Sequence, residues 1–372
     1  MLVVLYFGIS YANYMLKPTS ETSSERSAEW VRDDVPFGNW IVDTAEHYTA
    51  SAPRKGGPGL MRLPSVGLNP VPPIVKHAQH AQHAKHATYR PPPIKPVFAT
   101  RLPGEGVWHR TSRSVDGAPP VLVTTYRPSM EYPAIVAYVL WIDHTRTDLA
   151  YYPGRYEPPS AVERGPMMVP VDQRHRLLAT FNGAFTHVDT NNGSAVNGRT
   201  NEPLIDGNAT LVGYRDGTVN IVKWTGGPNA PANVAWARQS LTPILWDGKL
   251  NPELNADPNS IQWGYTLGGV TFTPRTAVGI DAHGNAMFVV ASEATVISLA
   301  QILHHIGAVR GMEFDINPEW HTMITYSHKN GLGPKMVEPQ PQQSPDRYLT
   351  PDDRDFMAVF SKVPGPVTVP FK

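Results

Sequence analysis

The run from Ala286 to Asp315 constrains the fold more than any other part of the chain. Ala286-Met-Phe-Val-Val-Ala291 is an apolar, β-branched segment that reads as a strand. From Ser298 to Ile306, Leu299, Ile302, Leu303 and Ile306 fall at i, i+3, i+4 and i+7, and Gly307 supplies a stop, which predicts a helix. Val309 to Asp315 then reads as a second buried strand. Strand, helix, strand in that order predicts a crossover between two strands of one sheet, right-handed if they are parallel. Ligands in open α/β arrangements gather beyond the carboxyl ends of such strands, and Asp315 stands there.

Further strand candidates lie at Val121–Arg127, Ala134–Ile142, Leu177–Phe181, Ala209–Tyr214 and Thr218–Trp224. Asp216-Gly217 between the last two predicts a hairpin. Asp281–Asn285 between Ala277–Ile280 and Ala286–Ala291 predicts a second.

Four segments follow from composition. Residues 1–16 are apolar but shorter than the roughly 20 residues a membrane span needs, and suggest part of a signal anchor whose true start lies upstream. Residues 17–51 carry a weak amphipathic pattern around Trp30, Val31, Trp40 and Ile41, expected to be a juxtamembrane helical region. Residues 52–101, rich in Pro, Gly, Ala and His, are expected to be an extended linker. The folded domain is expected over 102–372. Within the linker, His77, His80, His83 and His86 recur every third residue; that spacing keeps no four side chains on one helical face, so no metal site is assigned.

Lys plus Arg and Asp plus Glu are equal at 32 each, so nucleic acid has no electrostatic case as a partner. Cysteine is absent, which removes thiolate and Cys-zinc chemistry. No Walker loop, dinucleotide fingerprint, His-Glu-x-x-His or Gly-x-Ser-x-Gly elbow occurs, and no cofactor is expected.

The chemistry-bearing residues cluster in three places. Asn182-Gly183 ends a strand, with His187 shortly after. Arg275 opens another strand, able to clamp a phosphate or to hold a structural carboxylate such as Glu313. Val309 to His321 packs Glu313, Asp315, Asn317, Glu319, Trp320 and His321 around a strand end. Glu313 and Asp315 share strand parity, about 7 Å apart, and such a pair could carry one raised and one lowered pKa for glycosidic acid and base work. A plain structural reading, a buried Glu–Arg pair plus a strand-end cap, accounts for Glu313 better than for Asp315.

Phe181-Asn-Gly-Ala-Phe185, Pro203-Leu-Ile-Asp-Gly207, Arg275-Thr-Ala-Val-Gly-Ile280 and the run Ser298 to Asp315 together resemble the phosphodiester glycosidase family, across roughly Ala179 to Thr325. The Leu102–Trp108 entry and the Asp346-Arg-Tyr-Leu and Arg354-Asp-Phe exit look like a divergent bacterial branch. The resemblance implies an α+β fold, a single domain with a central mixed β-sheet and packed helices. It implies that Asn182 and Phe185 bind substrate, that Arg275 meets the phosphodiester, and that Asp315 acts as acid or base, with Glu313 or Glu319 as its partner. His187, Asn317, Trp320 and His321 would position the sugar. Where the family has Gly-Gly-Gly-Ser after the aspartate, this chain has Ile316-Asn-Pro-Glu-Trp-His321, which closes the close backbone approach glycines allow and offers an indole instead.

The expected function is an extracytoplasmic, membrane-tethered or secreted hydrolase acting on a glycosyl phosphodiester or glycosidic linkage of a cell-envelope glycan. The alternative is a non-catalytic glycan-binding or envelope-assembly module that kept the fold.

Overall fold

The computed structural model describes residues 2–49, 53–56, 59–71, 89–160, 164–257, 260–264, 272–340 and 343–362. The histidine repeat lies outside these residues.

Three sheets form the body. The largest runs β1 (His109–Arg110), β2 (Val121–Tyr126), β3 (Ala137–Ile142), β14 (Ala286–Ala294), β13 (Thr273–Asp281), β15 (Ala308–Glu313), β11 (Leu245–Trp246) and β12 (Lys249–Leu250). Every neighbouring pair in it is antiparallel. The expected crossover is present in a particular form: β14 and β15 run the same way, joined by helix α5 (Val296–His305), with β13 paired between them. A second sheet orders β7 (Arg199–Glu202), β6 (Ser194–Val196), β10 (Val234–Gln239), β8 (Ala209–Tyr214) and β9 (Val219–Lys223). The third orders β17 (Gly333–Met336), β16 (Met323–Ser327), β5 (Leu177–Asn182), β18 (Phe356–Ser361) and β4 (Thr147–Tyr152). Both predicted hairpins form, β8 with β9 and β13 with β14. The architecture is α+β, with sheet as its framework.

The apolar run in β14 has a direct explanation, because both of its faces are buried. Phe288 and Val290 point into a core shared with Phe181, Met323 and Met357 of the third sheet and Leu211 and Trp236 of the second. Met287, Val289 and Ala291 point the other way, beneath Leu299, Ile302 and Leu303 of α5. Thr295 caps α5 reciprocally with Ser298, satisfying orphan amides of the first turn. The helix can lie close to the sheet because β15 carries Gly311 under Leu303; a Cβ there would overlap the leucine side chain.

Three helices precede the body: α1 (Leu2–Met15), α2 (Ser23–Asp34) and α3 (Gly38–Thr49). Among the described residues no helix is long and apolar enough to cross a membrane. The described parts of 52–101 lie against the folded body. They have almost no regular secondary structure, yet Leu63 and Val66 are buried in the first core and Ile94 in the second. Prolines break the backbone ladder there without preventing apolar side chains from docking.

Candidate active site

The ends of β5, β13 and β15 meet, and one buried hydroxyl ties them together. Thr276 Oγ1 accepts from the Asp315 amide at 3.0 Å and from Asn182 Nδ2 at 3.0 Å, while the Thr276 amide donates to Asp315 O at 2.8 Å. The Phe185 amide donates to Phe314 O at 2.7 Å, closing the same junction from the β5 side. Asn182 Oδ1 accepts from the Thr322 amide at 3.0 Å. The Asn182 side chain is thus committed to holding three segments in register.

A small cavity opens at this junction, lined by Asn182, Gly183, Ala184, Asp315, Trp320, Arg347, Tyr348, Arg354 and Asp355. Asp315 is its chemical centre. One carboxylate oxygen, Oδ1, accepts from the Ile316 amide at 2.7 Å and the Asn317 amide at 2.9 Å, which leaves Oδ2 without a partner among the described residues. Burial raises its pKa to about 6, against the pull of those two amides and of Arg354. The Arg354 guanidinium lies 3.4 Å from the centroid of the Trp320 ring, a cation over an aromatic face. Asp355, across the cavity wall, is paired through Oδ2 to Arg238 at 2.5 Å, and Arg238 is itself completely buried and bonded to Glu157. Gly183 permits this arrangement, since a Cβ at that position would overlap the Asp355 carboxylate.

Of the ten side chains expected at the site, the cavity brings together Asn182, Asp315 and Trp320. Arg275 does not reach it. Its Nη1 is 2.6 Å from Glu313 Oε1 and its Nε donates to Ala294 O, a buried pair on the face beneath α5. Glu313 pairs across the ladder with Ala277, so it shares a face with Arg275 and not with Thr276. Burial raises the Glu313 pKa to about 7, offset by Arg275. The expected split of one raised and one lowered carboxyl is therefore replaced by two raised ones, because desolvation outweighs the charges nearby. Phe185 is buried in contact with Gly264. His187 faces Glu202 at 3.3 Å and Asn192 O at 3.1 Å. Asn317 caps the turn, its Oδ1 accepting from the Glu319 amide. His321 sits 3.1 Å from Glu338; burial alone would lower its pKa, and Glu338 reverses the direction. Glu319 is outside the lining. Trp320 is 5% exposed and stacks with an arginine rather than offering an open platform.

Arg347, Tyr348, Arg354 and Asp355 are the lining residues that local sequence reasoning did not assign. The signal available was the exit pattern, Asp346-Arg-Tyr-Leu and Arg354-Asp-Phe, which marked the segment without giving it a role.

The acidic face of α2, together with Glu21 just before the helix, lies against the two lining arginines. Glu25 Oε1 is 2.5 Å from Arg347 Nη1, Glu21 Oε1 is 3.9 Å from Arg347 Nη2, and Asp33 Oδ1 is 3.5 Å from Arg354 Nη2. Glu21, Glu29 and Asp353 bring carboxylate oxygens within 4.8 Å of one another, and Tyr14 donates to Asp353 at 2.8 Å. Burial raises the Glu25 pKa to about 7 and pushes Glu21 and Glu29 well above the usual carboxylate range.

Residues 175–315 match the family model described as phosphodiester glycosidase. No curated protein matches the chain. Among solved structures, the zebrafish N-acetylglucosamine-1-phosphodiester alpha-N-acetylglucosaminidase catalytic domain, auto-inhibited by its pro-peptide, is similar at 13% identity and a TM-score of 0.44, over 68% of this chain and 87% of that one. A hypothetical protein from Synechocystis overlaps at 12% identity and TM-score 0.37, over 67% of this chain and 64% of that one. A putative exported protein from Burkholderia pseudomallei gives 13% and 0.33, over 63% and 75%. The matched stretch begins just before β5 and ends on Asp315, and over residues 175–315 the chain is similar to the phosphodiester glycosidase family.

Proposed function

We propose that the chain is a hydrolase that releases a sugar from a glycosyl phosphodiester, with Asp315 as general acid. The observation that carries this reading is the state of Asp315: one oxygen fixed by two amides, the other facing a cavity, and a pKa near 6 that keeps the carboxyl protonated in mildly acidic conditions. Its proton goes to the leaving oxygen as the bond from the anomeric carbon breaks. Asp355 is the second carboxylate on the cavity wall, and takes a proton from the water whose oxygen joins that carbon. Arg354, backed by the Trp320 ring, neutralises the phosphate, the task that Arg275 cannot perform from beneath α5.

The substrate we assign is a glycan of the cell envelope, and the place of action is outside the cytoplasm. The support for both is α1, whose apolar side chains Val3, Val4, Leu5, Tyr6 and Ile9 are exposed on most sides of the helix and would suit an apolar environment.

The test is release of sugar from a synthetic glycosyl phosphodiester by the full chain and by Asp315→Asn. Turnover by the first and its loss in the second, with both proteins folded, is the expected result. Equal release by both would remove Asp315 from the chemistry, and saccharide binding without any release would favour a glycan-binding module instead.

A further inference from the structure

The turn from Ile316 to Thr322 carries two residues that serve the cavity. Trp320 lines it, and Thr322 holds two other lining residues, its amide donating to Asn182 Oδ1 at 3.0 Å and its hydroxyl sharing a 2.5 Å hydrogen bond with the Tyr348 hydroxyl. His321 lies between them, buried, and does not line the cavity. Both of its ring nitrogens face acceptors: Nδ1 is 3.4 Å from Asn317 O, and Nε2 is 3.1 Å from Glu338 Oε2. A neutral imidazole has one N–H and serves one of these, whereas an imidazolium serves both. Gln340 Nε2 abuts the same ring nitrogen and donates to Glu338 Oε2 at 3.2 Å, and Gln343 Nε2 donates to Glu319 O at 2.5 Å. The segment after β17 therefore grips the turn at several points, and the His321–Glu338 pair is the one that depends on a proton. Burial pushes the imidazole towards its neutral form; the Glu338 carboxylate more than reverses this, and Asp315 at the end of β15 acts in the same direction. Burial keeps the Tyr138 hydroxyl of β3, which also feels Glu338, un-ionised, and the Arg354 guanidinium lies across the Trp320 ring.

We propose that His321 is a positioning residue of the site: as an imidazolium held by Glu338 it fixes the 316–322 turn, and with it Trp320 and the Asn182–Thr322–Tyr348 contacts, so that the cavity wall loosens when the ring loses its proton. The effect on turnover rests on the hydrolase reading, since His321 acts through Trp320 and Thr322 and not on a substrate. Loss of the proton leaves Glu338 a buried carboxylate with no cation beside it, a state that low dielectric disfavours. Relief comes by admitting water, and the turn is the element free to give. It belongs to no strand, whereas Val337, next to Glu338, is tied to β16 by its amide, 2.8 Å from Met323 O. The site then works when two groups carry protons, Asp315 for the chemistry and His321 for the wall, and both conditions are met on the acid side of neutrality.

The experiment follows the ring and the turn separately in the full chain. Histidine-ring NMR identifies His321 as the signal missing from His321→Lys. Its titration midpoint is expected above the ordinary imidazole value of about 6.5, and lower in Glu338→Gln than in the wild-type protein. Hydrogen-exchange mass spectrometry, corrected for the intrinsic effect of pH, should show the peptide covering 316–322 losing protection through that same midpoint while β13 and β14 keep theirs. Glu338→Gln should loosen the turn at every pH, and if the closed turn then falls to one molecule in ten, kcat falls about tenfold. Glu338→Asp should recover part of that loss, and His321→Lys, which keeps a cation, should hold the turn closed as pH rises. Sugar release by the wild-type protein should fall with the loss of two protons on the alkaline side, from Asp315 and His321, and by His321→Lys with the loss of one. Thermal midpoints of each protein separate a loosened turn from a lost fold. A His321 midpoint at or below about 6.5, protection of 316–322 that ignores that midpoint, or a one-proton fall in wild-type turnover overturns the proposal. A turn that follows the His321 proton while no variant releases sugar at any pH would defeat the hydrolase reading and leave the clamp standing.

Discussion

At the scale of the residue, Asp315 carries a thermodynamic cost that can be measured without any substrate. Its ionised form is disfavoured by burial, and a carboxyl whose pKa rises on folding, here from 3.8 to about 6, makes the folded state less stable once it ionises. The sign follows directly: the folded state is unpenalised below about pH 4 and loses stability as pH rises through about 6, by an amount on the order of 3 kcal/mol. Asp315→Asn should therefore be more stable than the wild-type protein at pH 8 and nearly equal to it at pH 4, as read from thermal melts at the two pH values. Lower stability of the variant at both would mean that the carboxylate is structural. Arg275 behaves in the opposite way. Removing its charge in Arg275→Met strands Glu313 in the core and should cost about 3–5 kcal/mol in urea denaturation, with turnover per folded molecule little changed. Asp315 and Asn182 could be read from the sequence because they end strands that local pattern reveals. Of the two readings of Arg275, the structural pair with Glu313 is the one found, for a reason of parity: the neighbouring Thr276 faces the junction, and Arg275 faces away with Ala277 and Glu313. Arg354 and Asp355 lie some forty positions after Asp315 in an irregular segment, where no periodicity reports which partner a side chain will find in space.

At the scale of the element, the β14–α5–β15 unit was legible almost to its ends, since a 3.6-residue pattern and two apolar runs are local signals. Strands β4, β10, β16 and β18 were not assigned. The faces of β4, β10 and β16 carry Asp148, Arg238, Gln239 and Thr325, polar residues that dilute the hydrophobic pattern, whereas β18 is an apolar run, Phe356-Met-Ala-Val-Phe360, that local pattern could have named. Small residues set how closely these elements approach. Gly311→Ala should destabilise by about 1–3 kcal/mol by forcing Leu303 and α5 off the sheet, and Leu303→Ala in the same chain should recover part of that loss. A double-mutant cycle by denaturation checks it; additive costs would place the strain elsewhere. Gly183→Ala acts on the site instead. It presses on the Asp355 carboxylate, and the expected readout is a fall in kcat larger than the change in KM.

At the scale of the whole molecule, the three N-terminal helices and the sheets differ in how they are held. The strands of the body are locked by continuous ladders and two-sided burial, while α1 exposes much of its apolar length and α2 holds on through a row of ion pairs. Amides of α1 to α3 should therefore exchange with solvent orders of magnitude faster than those of β13 to β15, in hydrogen-exchange mass spectrometry of the full chain. Uniform protection would mean that helices and sheets open together. The placement of β18 has a different consequence, one about time. This strand comes from the end of the described chain, yet it lies in the middle of its sheet, paired to β5 on one side and β4 on the other. Until residues 356–361 have left the ribosome, β4 and β5 have no partner between them, and Arg354 and Asp355, which enter the sheet with β18, have nowhere to be held. The cavity wall that carries Arg354 and Asp355 is assembled only after β4 and β5 have been made, and a nascent chain released short of Phe356 leaves two unpaired strand edges rather than a smaller folded domain.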